Sequence, residues 1–180
     1  AREIHQLYTS TGADLLEDPW EARNAYGRVV TGSQGLEAFL ESEMHPQAFP
    51  ERQEEAHRLL ELERQSLRLF TSCAWFFDDL AGIEPRQILK YADRALELLG
   101  EGQPGAEPRF LGRLRRISTN EIPSRDGETL FLEERELREL IGSWASKTGM
   151  KEHGEPPDTQ EARLGLALEK AVRSLGVMVD

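Results

Sequence analysis

The sequence predicts an all-α protein, an irregular multi-helix bundle with one long central helix. Two observations predict it. β-Branched residues are sparse, and no apolar–polar alternation persists over the length of a strand. Instead, helix start and stop signals punctuate the chain, with apolar residues recurring at three- and four-residue spacing between them. The first clear start is "DPWE": Asp18 can cap, Pro19 suits the first helical position, and Glu21 stands three residues after the cap, as in a capping box. That helix is expected to run to about Val30 and stop at "TGSQG". A short helix over Leu36 to Met44 follows, and "HPQAFP" breaks the chain. The longest element is expected from Glu51 to Leu80, ended by Gly82. A fourth helix runs from Pro85 to Gly100 with Ile88, Ala92, Ala95 and Leu99 as its stripe and Tyr91 and Leu96 beside it. After the "EGQPGAEP" turn, a short helix covers Arg109 to Ile117. "STNEIPSRDGET" reads as a loop with Asp126-Gly127 as its turn. Another helix covers Leu132 to Ser146. The breaker at 149–157, "GMKEHGEPP", is the best candidate for a mobile segment. "DTQE" then opens a last helix with Leu164, Leu168, Ala171, Val172 and Leu175 inward. No repeat period is visible.

The 180 residues suit a single domain over 1–180 and suffice for a proper core. Charged residues make up 31% of the chain and the formal net charge is −11, which argues against a nucleic-acid backbone or an anionic membrane as the main partner. A neutral ligand or a protein partner fits. The lone cysteine, Cys73, excludes an internal disulfide framework and any multi-cysteine zinc site, and it fits a reducing, cytoplasmic setting. No apolar run approaches the roughly 20 residues needed to cross a bilayer, and no signal peptide is visible. The chain opens "AREIHQ" without a methionine and is expected to be a piece of a longer protein.

The long helix carries the question of function. At about 100° per residue, Leu62, Ser66, Leu69, Phe70, Cys73, Phe76, Phe77 and Leu80 share one broad stripe, the sign of burial. Cys73 in that stripe reads as a buried thiol rather than a nucleophile. Trp75 lies about 200° from Cys73, among Arg68, Thr71, Ser72, Asp78 and Asp79. Two readings stay open for this polar face with one indole. It is a second packing surface, or it is a ligand platform or an interface to another domain. Asp78 and Asp79 fall in the expected last turn, where the macrodipole disfavours anions by up to about 1 kcal/mol. Arg86, Arg94 or Arg23 can offset that, as can a bound donor. Adjacent acids on a helix point about 100° apart, so the pair does not suit the two carboxyls of a glycosidase by itself.

The stretch "LLELERQSLRLFTSCAWFFDDLAGIEPRQILKYADRALELL" resembles a segment of the uncharacterised helical C-terminal domain found in a branch of glycoside hydrolase family 57-like proteins. "DPWEARNAY" and "STNEIPSRDGETLF" are similar to outlying stretches of it, so the resemblance covers Leu15 to Phe131. Ala74 replaces the usual glycine, Ala81 a serine and Pro85 a threonine. The resemblance implies an N-terminal catalytic (β/α) barrel in the same polypeptide, acting on an α-glucan or related polysaccharide. This domain would pack on that barrel, line the cleft with aromatic residues, and be inactive alone. It makes Trp75, Asp78 and Asp79 the first candidates for substrate binding, with Trp20 a second aromatic contact beside its plainer reading as a lid on the bundle.

No other constellation carries chemistry. His5, His45, His57 and His153 are scattered without metal-ligand spacing, and no phosphate loop or nucleophile elbow occurs. Neither cofactor nor metal is expected. Trp144 reads as core. "RLRR" at 113–116 reads as surface charge pairing with the Glu-rich stretch "EERELREL". A free-standing helical interaction module binding a protein partner through the Trp75 face is the alternative to the accessory domain.

Overall fold

The computed structural model of the protein describes residues 1–72, 79–100, 103–119 and 126–148, the last five as backbone only. Eight helices follow one another among the described residues: α1 (Arg2–Leu15), α2 (Pro19–Ala25), α3 (Gly27–Val30), α4 (Leu36–Glu43), α5 (Gln53–Arg68), α6 (Ile83–Leu99), α7 (Ala106–Leu114) and α8 (Gly127–Thr148). No strand occurs among them, so the all-α expectation holds. The expected break at 149–157 and the final helix lie outside the described residues, as do Cys73, Phe76, Phe77 and His153; the side chain of Trp144 is likewise undescribed. The chain divides into two compact units, Ala1–Ala74 with Tyr91–Arg109, and Trp75–Lys90 with Phe110–Asp180.

The first unit is built on α5. α1 lies along it, and Tyr8, Leu15, Leu16, Phe39, Leu40, Met44, Leu59 and Leu60 are buried together. Fully burying one such leucine is worth about 1.5–3 kcal/mol. A second cluster joins Ile4 and Leu62 to Ala95, Leu98 and Leu99 of α6. α1 was not expected from the sequence. Its buried stripe is Ile4, Tyr8, Gly12 and Leu15, and the glycine hides the periodicity. Gly12 is there because space is short: a Cβ would stand 3.2 Å from the Pro19 Cβ and 3.8 Å from Leu59 Cδ2.

Asp18 caps α2 as expected, its Oδ1 accepting the N–H groups of Trp20 (2.9 Å) and Glu21 (3.0 Å). The helix expected to reach Val30 is divided at Tyr26 into α2 and α3, where Gly27 and two valines are weak helix formers. A larger difference lies in the long central helix. α5 ends at Arg68, twelve residues short of the expected Leu80. Phe70 N–H bonds to the Leu67 carbonyl (3.1 Å) and Thr71 N–H to that of Arg68 (3.3 Å), three-residue turns that tighten the end. The Thr71 hydroxyl also donates to the Arg68 carbonyl at 3.0 Å. Of the expected burial stripe, Leu62 and Ser66 are buried, Leu69 and Leu80 are half-buried and Phe70 is 63% exposed, while Cys73, Phe76 and Phe77 lie outside the described residues; Leu67, off that stripe, is 50% exposed.

α6 carries Pro85 in its first turn and stops at Gly100, whose φ of 56° is left-handed. Its buried side chains are Pro85, Leu89, Ala92, Asp93, Ala95, Leu98 and Leu99, with the expected Ile88 only half-buried.

In the second unit, α7 starts three residues earlier than expected and α8 five. Asp126 accounts for the latter. Its Oδ1 accepts both the N–H (2.8 Å) and the hydroxyl (2.9 Å) of Thr129, so Asp126-Gly127 is a helix start and not a loop turn. Those two donors hold the Asp126 carboxyl below its ordinary range. Buried Leu114, Leu130 and Phe131 form the packing, with Phe110 edge-on to Phe131 at 5.2 Å. Arg115 grips Glu128 with two guanidinium nitrogens.

Candidate functional site

Of the four residues singled out for binding, Trp75 and Asp78 lie outside the described residues. Asp79 is described, and its setting corrects the argument made for it. Its Oδ1 accepts the N–H of Ala81 at 2.9 Å and its carbonyl that of Gly82 at 3.3 Å, immediately before α6 begins at Ile83. Asp79 therefore introduces the positive end of α6 and does not stand in the last turn of α5, which has already ended. An anion is favoured there, so the macrodipole conflict does not arise for Asp79. The arginines considered as its offsets have other contacts. Arg86 reaches Glu134 at 3.2 Å, Arg94 reaches Glu97 at 2.9 Å, and Arg23 donates to Asn24 at 2.9 Å.

Trp20 is half-buried and packs against the first core cluster, which is the lid geometry. The pieces around it are polar as well as apolar. The Arg23 guanidinium lies over the indole, 4.8 Å from its centroid. The rings of His5 and Tyr8 approach at 5.0 and 5.6 Å. Tyr8 is fully buried, and its hydroxyl donates to the Pro19 carbonyl at 2.5 Å. Burial pushes that phenol well above its usual range, and the Glu63 charge pushes it further.

Beneath this group sits Glu63 of α5, 1% exposed, with Oε1 3.4 Å from His5 Nδ1. Its other oxygen, Oε2, is buried and has no hydrogen-bond partner among the described residues. The arrangement can stack a ring and exchange hydrogen bonds. It holds no nucleophile paired with a base. The sequence singled out Trp20 but not His5, Tyr8 or Glu63. Tyr8 one turn after His5 on a stripe was the available local signal; Glu63 is 58 residues from His5 and had none.

Among the described residues no group of three or more His, Cys, Asp or Glu side chains could hold a metal ion, and no helix is long and apolar enough to cross a membrane. The "RLRR" segment pairs through Arg115 with Glu128, one turn ahead of the Glu-rich stretch expected to meet it. The model of a family described as a domain of unknown function (DUF3536) matches residues 1–137. No curated protein and no solved structure matches.

Proposed function

The chain belongs to the DUF3536 family, a domain of unknown function, and from that premise we propose that it is an accessory helical domain of a glycoside hydrolase family 57-like protein. In this reading it packs on a catalytic barrel of the same polypeptide, and Trp75, Asp78 and Asp79, with Trp20, face an α-glucan or related polysaccharide. The resemblance over Leu15 to Phe131 supports it, falling within the matched span. The structural observation that supports it is the end of α5. Leu67 and Phe70 are half or more exposed immediately before the segment that carries Trp75. Exposed apolar side chains of this size, at the edge of a polar surface, suit an interface with another domain.

The same exposure suits the alternative, a free-standing module that binds a protein partner. The reading frame around this segment discriminates: the accessory-domain reading requires that it encode a barrel. In a full polypeptide of that kind, a Leu67→Ser/Phe70→Ser double variant should lower the thermal midpoint, while the same change in the chain alone should leave it nearly unchanged. Equal effects in both would reject the interface. Titration with maltooligosaccharides, followed by tryptophan fluorescence, tests sugar contact. Silence at millimolar sugar, with Trp75→Phe and Trp20→Phe equally silent, rejects direct contact.

A further inference from the structure

A cavity of about 340 Å³ opens between α4 and the first turns of α5, lined by Leu36, Glu37, Leu40, Gln53, Glu54 and His57. Its size is at the lower end of small-ligand sites, which span about 300–1,000 Å³. The floor is firm. Leu40 is 2% exposed, and both Leu36 and Leu40 pack into the first core cluster with Phe39 and Tyr26. His57 forms a wall backed by the Tyr26 ring at 6.4 Å.

The rim is acidic. Neither Glu37 nor Glu54 has an ion-pair partner among the described residues. Arg52 and Arg58 border a neighbouring hollow together with Glu54, but the cations of this region make their contacts elsewhere. Arg28 meets Glu43 at 3.0 Å, Arg52 meets Glu55 at 2.8 Å, and Arg58 donates to the Leu98 carbonyl at 2.7 Å. Glu37 and Glu54 stand in the first turns of α4 and α5, which suits a carboxylate in any protein. That accounts for their charge, but not for a hollow with an apolar floor beneath them.

We propose that this cavity binds an alkyl-ammonium group. A short methylene chain would lie on Leu36 and Leu40, and the ammonium would sit at the rim between Glu37 and Glu54, with the Gln53 carbonyl oxygen as a further acceptor. The lysine side chain has this division between apolar stem and charged head, as do linear aliphatic amines. An anion would meet two carboxylates held in no ion pair among the described residues, in a chain of net charge −11. A sugar would find leucines where it needs an aromatic plane. The inference stands apart from the accessory-domain reading and uses none of its residues.

Backbone amide shifts of the whole chain test it, with 1,5-diaminopentane and the peptide acetyl-Gly-Lys-Gly-amide as cationic ligands and 1-pentanol as the neutral control. The expected result is saturable shifts confined to residues 36–40 and 53–57 with one or both cations and none with pentanol. Glu54→Gln should weaken binding about two- to fivefold, the scale of one exposed ion pair. Glu37→Gln/Glu54→Gln should remove saturation, and raised salt should weaken the wild type. Preference for the peptide would assign the site to a protein's lysine, and preference for the diamine to a free amine. Shifts spread evenly over the acidic surface, equal binding of pentanol, or undiminished binding by the double variant would overturn the proposal.

Discussion

Replacing Gly127 by alanine tests the account of how α8 begins. A Cβ at this position would lie 2.8 Å from the Leu114 carbonyl oxygen and 2.8 Å from Leu80 Cδ2, closer than real Cβ atoms come. The leucine methyl can swing away. The carbonyl is less free, because it accepts the Ile117 N–H at 2.9 Å while Gly127 N–H bonds to the Ile117 carbonyl at 2.9 Å. Gly127 is not among the glycines with positive φ, so the penalty is steric and not conformational. Overpacking of this kind costs about 1–3 kcal/mol. Against it stands the helix preference of alanine over glycine, about 0.5–1 kcal/mol in a helix interior and less at its first residue. The net expectation for Gly127→Ala is a loss of about 1–2 kcal/mol. The same exchange at Gly142 provides the control, since it lies within α8 with nothing within 4 Å of the added carbon. Gly142→Ala should raise stability by about 0.5–1 kcal/mol. Denaturant unfolding of both variants measures the difference, about 2 kcal/mol in total, or several degrees in the thermal midpoint at this chain length. If Gly127→Ala were as stable as Gly142→Ala, the contact with Leu114 would not exist as described.

Three further outcomes follow from the caps and buried phenols. Asp18→Ala should lower stability by about 1 kcal/mol in a urea melt, with Asp18→Asn close to wild type, because the N–H groups of Trp20 and Glu21 lose their acceptor. Asp126 should make stability acid-sensitive. Its folded carboxyl titrates below its ordinary range, so its contribution is complete above that range and is lost as pH falls through the depressed folded value. Asp126→Asn should flatten the acid limb of a stability–pH curve. Tyr26, pushed up to about 12 by burial and then by Glu61, gives the opposite limb. Its phenol ionises in the unfolded chain first, so stability should be lost as pH rises from the ordinary 10.0 towards about 12. Tyr26→Phe should lessen that loss in alkaline melts.

Local chemistry was legible in the sequence and distant chemistry was not. The Asp18-Pro19 start reads correctly because a cap and its donors lie within three residues. Asp126-Gly127 was misread because the pair spells a turn in isolation, and only Thr129 two residues later turns it into a helix start. α1 escaped notice because its third buried position is a glycine. The end of α5 escaped because apolar composition continues past Leu67, while the stop lies in three-residue turns and a threonine hydroxyl that no breaker residue announces. For the candidate site, helix arithmetic extended past that stop and so placed Asp79 at the wrong end of a helix. Trp20 was raised by the family resemblance that includes "DPWEARNAY", whereas nothing in "ELERQ" sets Glu63 apart from the other acids of the chain. Its burial is decided by α1, a segment that the pattern did not reveal.

That acid has a bearing on how the molecule breathes. A buried carboxylate oxygen with no hydrogen-bond partner among the described residues still seeks a proton donor, and solvent waits just past the His5 imidazole, whose side chain is 55% exposed. The seam between α1 and α5 therefore carries its own weak point amid its leucines, where admitting one water relieves a deficit instead of creating one. Transient parting of the chain's first helix should begin at that spot, ahead of the tightly sealed turns around Leu15 and Leu16.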